Sequence, residues 1–222
     1  MNQLGANHLL YLLIAAQWTV LLSLIAFAGG AVLGLAIALM RVSKLGVLRG
    51  LASGYIQLIQ GTPLLIQIFI VYFGLSSLGL KLSADVSAVI ALTVNMGAYS
   101  TEIMRAGIQS IQRTQLEAAD CLGLTRLQTI LHVVLLPAME RVYPALSSQF
   151  VLLMLASSIT SQISVEELTA TASLVQSDTY RSFEVYLVVA VVYLALSALY
   201  RFAFWLIGLG LFARKRRLGT PL

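Results

Sequence analysis

Asn95, Tyr99 and Glu102 recur at intervals of four and three residues. On a helix advancing about 100° per residue, that spacing places an amide, a phenol and a carboxylate in a narrow arc of one face. The surrounding residues are apolar, so such a stripe must face protein or water, because each polar group costs free energy against lipid. Gln57, Gln60 and Gln67 fall on one side of the preceding apolar run. Thr62 stands there beside Pro63, where a kink could free backbone carbonyls to meet an ammonium group. A third polar stretch, Ser157-Ser158-Ile159-Thr160-Ser161-Gln162, could bond a zwitterion, loosen a helix or hold neighbouring helices together. This is binding chemistry, suited to a small polar solute. Glu102 is expected to pair with Arg105 one turn on rather than to meet that solute.

The residue types that would do covalent or metal chemistry are missing or scattered. His8 and His132 have no ligand spacing around them, and the lone Cys121 can form neither an intrachain disulfide nor a thiolate cluster. No Gly-x-x-x-x-Gly-Lys-Ser/Thr segment is present to cradle nucleotide phosphates. The expectation is a chain with no catalytic residues, metal or cofactor of its own, and therefore not an enzyme.

The elements that carry these residues are membrane spans. Of 222 residues, 59% are hydrophobic and 10% charged, and nine acidic with fourteen basic side chains cannot clothe a soluble surface. A helix needs about 20 apolar residues to cross a hydrocarbon core about 30 Å thick. Five runs qualify, at about residues 19–40, 51–75, 84–104, 142–160 and 185–206. A shorter stretch, Leu9 to Ala16, is expected at the interface with Trp18 near the headgroups. Residues 1–18 thus read as an external or interfacial segment, without the basic region and cleavage pattern of a removable leader. The net charge of +5 is not a nucleic-acid footprint. Its residues cluster beside apolar runs, at Arg41, Lys44 and Arg49, at Arg105, Arg113 and Arg126, and in a tail over residues 209–222 holding Arg214, Lys215, Arg216 and Arg217. Placing these clusters inside predicts the N-terminus out and the C-terminus in. Arg201, near the end of the last run, is expected to snorkel to the interface. Gly30 and Gly34 form a Gly-x-x-x-Gly that permits close helix contact, either within the chain or with a neighbour.

One long segment, about residues 105–141, is too polar to span yet patterned like short amphipathic helices. Within it, Glu117-Ala118-Ala119 gives a smooth helical face with a charge beside it, Gly123 a helix stop, and Pro137 a restart. It reads as a knob for docking another protein. At this point the sequence resembles the EAA loop of ABC importer permeases, with Glu-Ala-Ala, three residues, Gly, and later a Leu-Pro. Ile103-Met104-Arg105-Ala106-Gly107-Ile108-Gln109-Ser110-Ile111 and Gln60-Gly61-Thr62-Pro63-Leu64-Leu65-Ile66-Gln67 are similar to segments of the polar amino acid uptake permeases. Two positions depart from that pattern: Gln60 stands where the family usually has Arg, and Ala156 where a Lys often stands.

The resemblance implies an all-α membrane fold, a type I importer permease over residues 19–208 with a basic tail, in a bacterial inner membrane. It implies a coupling loop of Glu117, Ala118, Ala119, Gly123 and Pro137. The candidate path for solute holds Gln60, Thr62, Gln67, Asn95, Tyr99, Ser157, Ser158 and Thr160. The implied partners are a cytoplasmic ABC ATPase dimer carrying ATP and Mg, an extracytoplasmic amino-acid-binding protein, and the lipid bilayer. A second permease subunit is also implied, read as a different polypeptide because of the two lost charges, with an identical copy as the alternative. Rival readings are a permease for another small solute, a stand-alone secondary transporter, and a membrane anchor that recruits a partner. Internal repeats and charges paired at mid-membrane would mark the secondary transporter, and neither is evident.

Overall fold

In the computed structural model, which describes residues 5–212, every regular element is helical. The first helix, α1 (Ala6–Arg41), runs 36 residues without interruption, about 54 Å at 1.5 Å per residue. The stretches read from sequence as an interfacial segment and a span are thus one helix. No Pro or turn residue stands between Ala16 and Thr19 to part them.

The next apolar run does not cross as one rod. It divides into α2 (Gly46–Gln60) and α3 (Leu64–Ser77), bent by 106°. Pro63 caps α3 with extended backbone, φ −62° and ψ 139°. Its missing N–H, and its clash with a helical preceding residue, end α2 at Gln60. Gln67 then braces the corner: its Nε2 donates to the Ile59 carbonyl at 2.7 Å and to the Thr62 carbonyl and hydroxyl at 3.0 Å. Residues Ile70–Gly74 of α3 are π-helical.

The long central helix, α4 (Ala84–Gln109), starts on the Ser83 side chain and buries ten residues, among them Ser87, Ser100 and Thr101. It is the best buried long helix although the least apolar, because polar groups such as Ser87, Ser100 and Thr101 face protein instead of lipid. Its principal partner is α1. Gly30 and Gly34 settle against it so closely that a Cβ on either would lie 2.5 Å from the Cβ of Met96 or Ser100. The Gly-x-x-x-Gly contact is therefore made within this chain. Thr101 donates across the same seam to the Gly34 carbonyl at 3.3 Å.

A short helix, α5 (Arg113–Cys121), precedes α6 (Arg126–Ile163), a 38-residue helical run. The sequence reading placed residues 105–141 outside the spans and expected the chain to restart at Pro137. The restart comes earlier, at a reciprocal cap in which Thr125 accepts from the Gln128 N–H and donates its own N–H to Gln128 Oε1. Pro137 lies inside the run because residues Thr129–Leu135 wind as a π-helix just before it, loosening the ladder where proline has no N–H to give. The run tightens into a 3-10 helix over Ser157–Ile163. Helix α7 (Leu168–Thr179) and the long helix α8 (Ser182–Leu211) complete the chain. The basic tail lies outside the described residues from position 213 on.

The main core joins α1, α3, α4 and α6 through Leu22, Ala26, Ile68, Leu92, Met96 and Leu153. A second core fixes the start of α1 to α7 and α8 through Leu12, Ala16, Leu168, Ala172 and Val185. Phe150 sits between Phe27 and Phe204, edge to face with both at ring-centre distances of 4.8 and 5.2 Å. Elsewhere α8 exposes Leu187, Val191, Leu194, Leu199, Phe202 and Trp205, an apolar face suited to lipid.

Candidate functional site

A cavity of about 600 Å³ opens where the α2–α3 corner, α4 and α6 converge. Four sequence-predicted path residues line it: Gln60 and Thr62 from the corner, Asn95 and Tyr99 from α4. The helical spacing of the α4 pair aims both at one volume. The Asn95 amide is held in place, its Nδ2 donating to Gln67 Oε1 at 3.0 Å. Gln60 reaches the Ala98 carbonyl at 3.4 Å. Thr62 donates to the Leu58 carbonyl at 2.8 Å, so its hydroxyl spends its proton on the carbonyl freed by the break.

The other predicted path residues stand elsewhere. Gln67 is buried behind the corner as its brace. Ser157, Ser158 and Thr160 each donate to a carbonyl three residues back, at 2.7 Å, inside the 3-10 end of α6. Their hydroxyls serve the tight turn that carries them. From the same helix, Gln149 and Ala156 line the cavity. Gln149 was missed by the sequence reading; its signal is an amide beside two serines in an otherwise apolar run. Glu102, one turn beyond Tyr99, is held by Arg105 at 3.1 Å from Nε and 2.6 Å from Nη2, so the expected pair forms.

The second predicted feature lies at the start of α6. Helix α5 buries Ala119 and packs on the π-helical segment of α6, leaving Glu117 and Ala118 exposed. Glu117 lies 3.7 Å from Arg113, an exposed contact of little energetic weight that leaves the carboxylate free for a partner. Gly123 ends the helix at φ 67°, the left-handed region. Its N–H donates to the Asp120 carbonyl at 3.0 Å, and the Leu124 N–H to the Ala119 carbonyl at 3.1 Å. This double closure fixes the angle at which α5 leaves the bundle. Pro137 is remote from the exposed face of α5 in sequence, about three turns into α6. Beyond it, Gly107 of α4 lies against Val142 and Ala138, and Arg141 donates to the Ser110 carbonyl. These contacts clamp α6 to the end of α4.

At the opposite end of α6 stands a buried carboxylate that the sequence reading did not single out. Glu167 caps α7, accepting from the Ala170 N–H at 2.9 Å and from the Tyr193 hydroxyl of α8 at 3.0 Å. The adjacent Leu168 N–H donates to the Thr19 hydroxyl of α1 at 3.1 Å. Three helices thus meet at one cap. Burial pushes the Glu167 carboxyl above the usual carboxylate range, against the opposing pull of the hydrogen bonds it accepts. A raised value means that the folded chain holds the proton more tightly than the unfolded one. Stability from this group should therefore be complete below the ordinary carboxylate range and fall as pH rises through the folded value. Thermal melts at pH 5 and pH 8 should show the native chain losing ground to Glu167→Gln as pH increases. Parallel pH profiles for the two would count against the assignment.

The profile of the family described as "Binding-protein-dependent transport system inner membrane component" matches residues 30–209. Over 179 residues, 81% of this chain and 83% of the relative, the sequence is 41% identical to the "Probable glutamine ABC transporter permease protein GlnM" of Bacillus subtilis (strain 168). It is 36% identical over 210 residues, 90% and 86% of the two chains, to the octopine transport system permease protein OccM of Rhizobium meliloti. A solved structure described as an amino acid ABC transporter with histidines superposes with a TM-score of 0.85 at 35% identity, covering 91% of this chain and 94% of that one. A chain of the inward-facing methionine ABC transporter MetNI shares the fold at a TM-score of 0.75 and 20% identity, over 90% and 96% of the chains.

Proposed function

We propose a transport cycle from the premise that this chain belongs to the family of binding-protein-dependent transport system inner membrane components, and is an amino-acid permease subunit of an ATP-binding-cassette importer. One observation carries the reading: a single helix, α6, connects the α5 knob at one end to the wall of a polar cavity at the other. Such a chain can take motion from a partner and deliver it to a solute site.

In this reading Glu117 and Ala118 on the exposed face of α5 seat in a groove of a cytoplasmic ATPase dimer, with the buried Ala119 holding α5 to the bundle and Gly123 setting its angle. ATP and Mg are bound and used there. Closure of the dimer draws α5 and the start of α6 inward, and the rigid bundle turns its cavity outward toward a substrate-loaded binding protein. Hydrolysis returns the cavity to the inside. A second permease subunit stands across the path. The bundle passes the bacterial inner membrane five times, through α1, the broken α2–α3 pair, α4, α6 and α8, with the N-terminus out. Basic residues at the ends of α1 and α4 and on both sides of α5 support that orientation, since all then fall on the ATPase side.

The amino-acid cargo is supported by the uncharged, hydrogen-bonding lining of the cavity together with the likeness to amino-acid permeases. Reconstitution of the chain with its ATPase and binding protein in vesicles should give ATP-dependent accumulation of a labelled amino acid. Vesicles that hydrolyse ATP and accumulate no amino acid would overturn the cargo assignment. Accumulation without the ATPase would restore the secondary-transporter reading.

A further inference from the structure

Resting on the importer reading above, we propose that the cavity selects amino acids whose side chains are uncharged, the carboxamides foremost, and that Gln60, Gln149 and Ala156 set this selection. The polar groups in its lining are the amides of Gln60, Asn95 and Gln149, the Thr62 hydroxyl and the Tyr99 phenol. No Asp, Glu, Lys, Arg or His is among the lining residues. Two of the charged groups nearest along the lining helices are turned to other partners. Glu102 is neutralised by Arg105 at 2.6 Å, and Arg141, two turns before Gln149, is bonded to the Ser110 carbonyl.

The charge balance of the lining that this chain supplies is therefore zero. An amino acid zwitterion matches it, because its carboxylate and ammonium groups offset one another and each finds hydrogen-bond partners. A lysine, arginine, aspartate or glutamate would bring one further charge against a partly exposed lining that offers no opposite charge, and an ion drawn even partly out of water without a partner is penalised. An uncharged side chain brings no such penalty. A carboxamide gains in addition, because each lining amide offers both a donor and an acceptor, the pattern it presents itself. Asn95 is pre-set for this: with Nδ2 given to Gln67, its carbonyl oxygen is the group left to accept. At about 600 Å³ the cavity lies within the range of small-molecule sites, so charge and hydrogen bonding, rather than size, decide among amino acids of similar length.

Selection by the binding protein would mask selection by the cavity, so the test uses the permease–ATPase complex purified without it. Equilibrium dialysis should show labelled glutamine and asparagine binding at least about tenfold more tightly than arginine, lysine, glutamate or aspartate. Gln149→Glu should raise arginine binding about tenfold, and Gln60→Arg should do the same for glutamate. Ala156→Lys is the second route to the glutamate gain should Gln60→Arg fail to assemble. Two outcomes defeat the inference while leaving the importer reading intact, provided the assembled transporter still takes up amino acids. One is equal or tighter binding of a charged amino acid by the unaltered complex, as would follow if a second subunit supplied a countercharge. The other is binding of none of the panel. Failure of the assembled transporter to take up any amino acid defeats the importer reading itself.

Discussion

Gly123→Val should reduce ATP-driven uptake to below about a tenth while the chain still inserts and assembles. The residue sits at φ 67°, a conformation that costs a non-glycine residue about 1–2 kcal/mol, and more when the side chain branches at Cβ. No atom lies within 4 Å of where its Cβ would stand, so the strain is in the backbone alone and leaves the core intact. Relief requires the double closure onto Asp120 and Ala119 to open, and with it the fixed angle of α5. Gly123→Asn, which tolerates the left-handed region, should keep most of the uptake. Glu117→Lys should uncouple by a different route, reversing the charge that α5 offers its partner. Hydrolysis and uptake measured together in vesicles separate these effects. Full uptake in Gly123→Val would remove α5 from the coupling role.

Gly34→Leu should prevent recovery of a folded chain. A Cβ at this position would stand 2.5 Å from the Ser100 Cβ and 3.1 Å from both the Gly97 carbonyl oxygen and the Thr101 nitrogen. Two of those three obstacles are backbone, which cannot rotate away. The helices must part by the width of a side chain, and overpacking of this kind costs about 3 kcal/mol or more in a close-packed interior. Parting α1 from α4 also breaks the Thr101 bond to the Gly34 carbonyl. Gly34→Ala should be intermediate, and Gly210→Ala, with open space around it, should behave as wild type. Size-exclusion profiles and melting temperatures in detergent measure the order. A normal profile for Gly34→Leu would mean that the α1–α4 seam is looser than described.

How much of this the sequence revealed depended on the range of the interactions involved. The α4 stripe was legible because helix periodicity alone puts Asn95 and Tyr99 on one face, and the same local rule paired Glu102 with Arg105. The helix stop at Gly123 was legible for the same reason. Pro63 announced a kink but not one of 106°, since the corner is held by Gln67 reaching back across the break. The serines and Thr160 near the end of α6 looked available because sequence cannot say whether a hydroxyl bonds outward or to its own helix. Pro137 read as a start because nothing local foretold the π-helical turns that let the helix pass through it. Glu167 went unmarked because its burial is created by α1 and α8, with Thr19 almost 150 residues away in sequence. Its burial belongs to the tertiary fold and has no local trace.

The π-helical stretch of α6 has a mechanical consequence of its own. It lies at Thr129–Leu135, just past the end that the ATPase would drive, while Gln149 and Ala156 lie beyond it. A π turn holds one residue more than an α turn, and such turns are among the few places where a helix bends sharply. The rod beyond it keeps its register, because Phe150, Leu153 and Met154 are buried among the neighbouring helices. A drive applied at the near end of α6 can therefore tilt that end first, as a universal joint does, while the amide of Gln149 stays keyed to the bundle and moves only when the bundle moves.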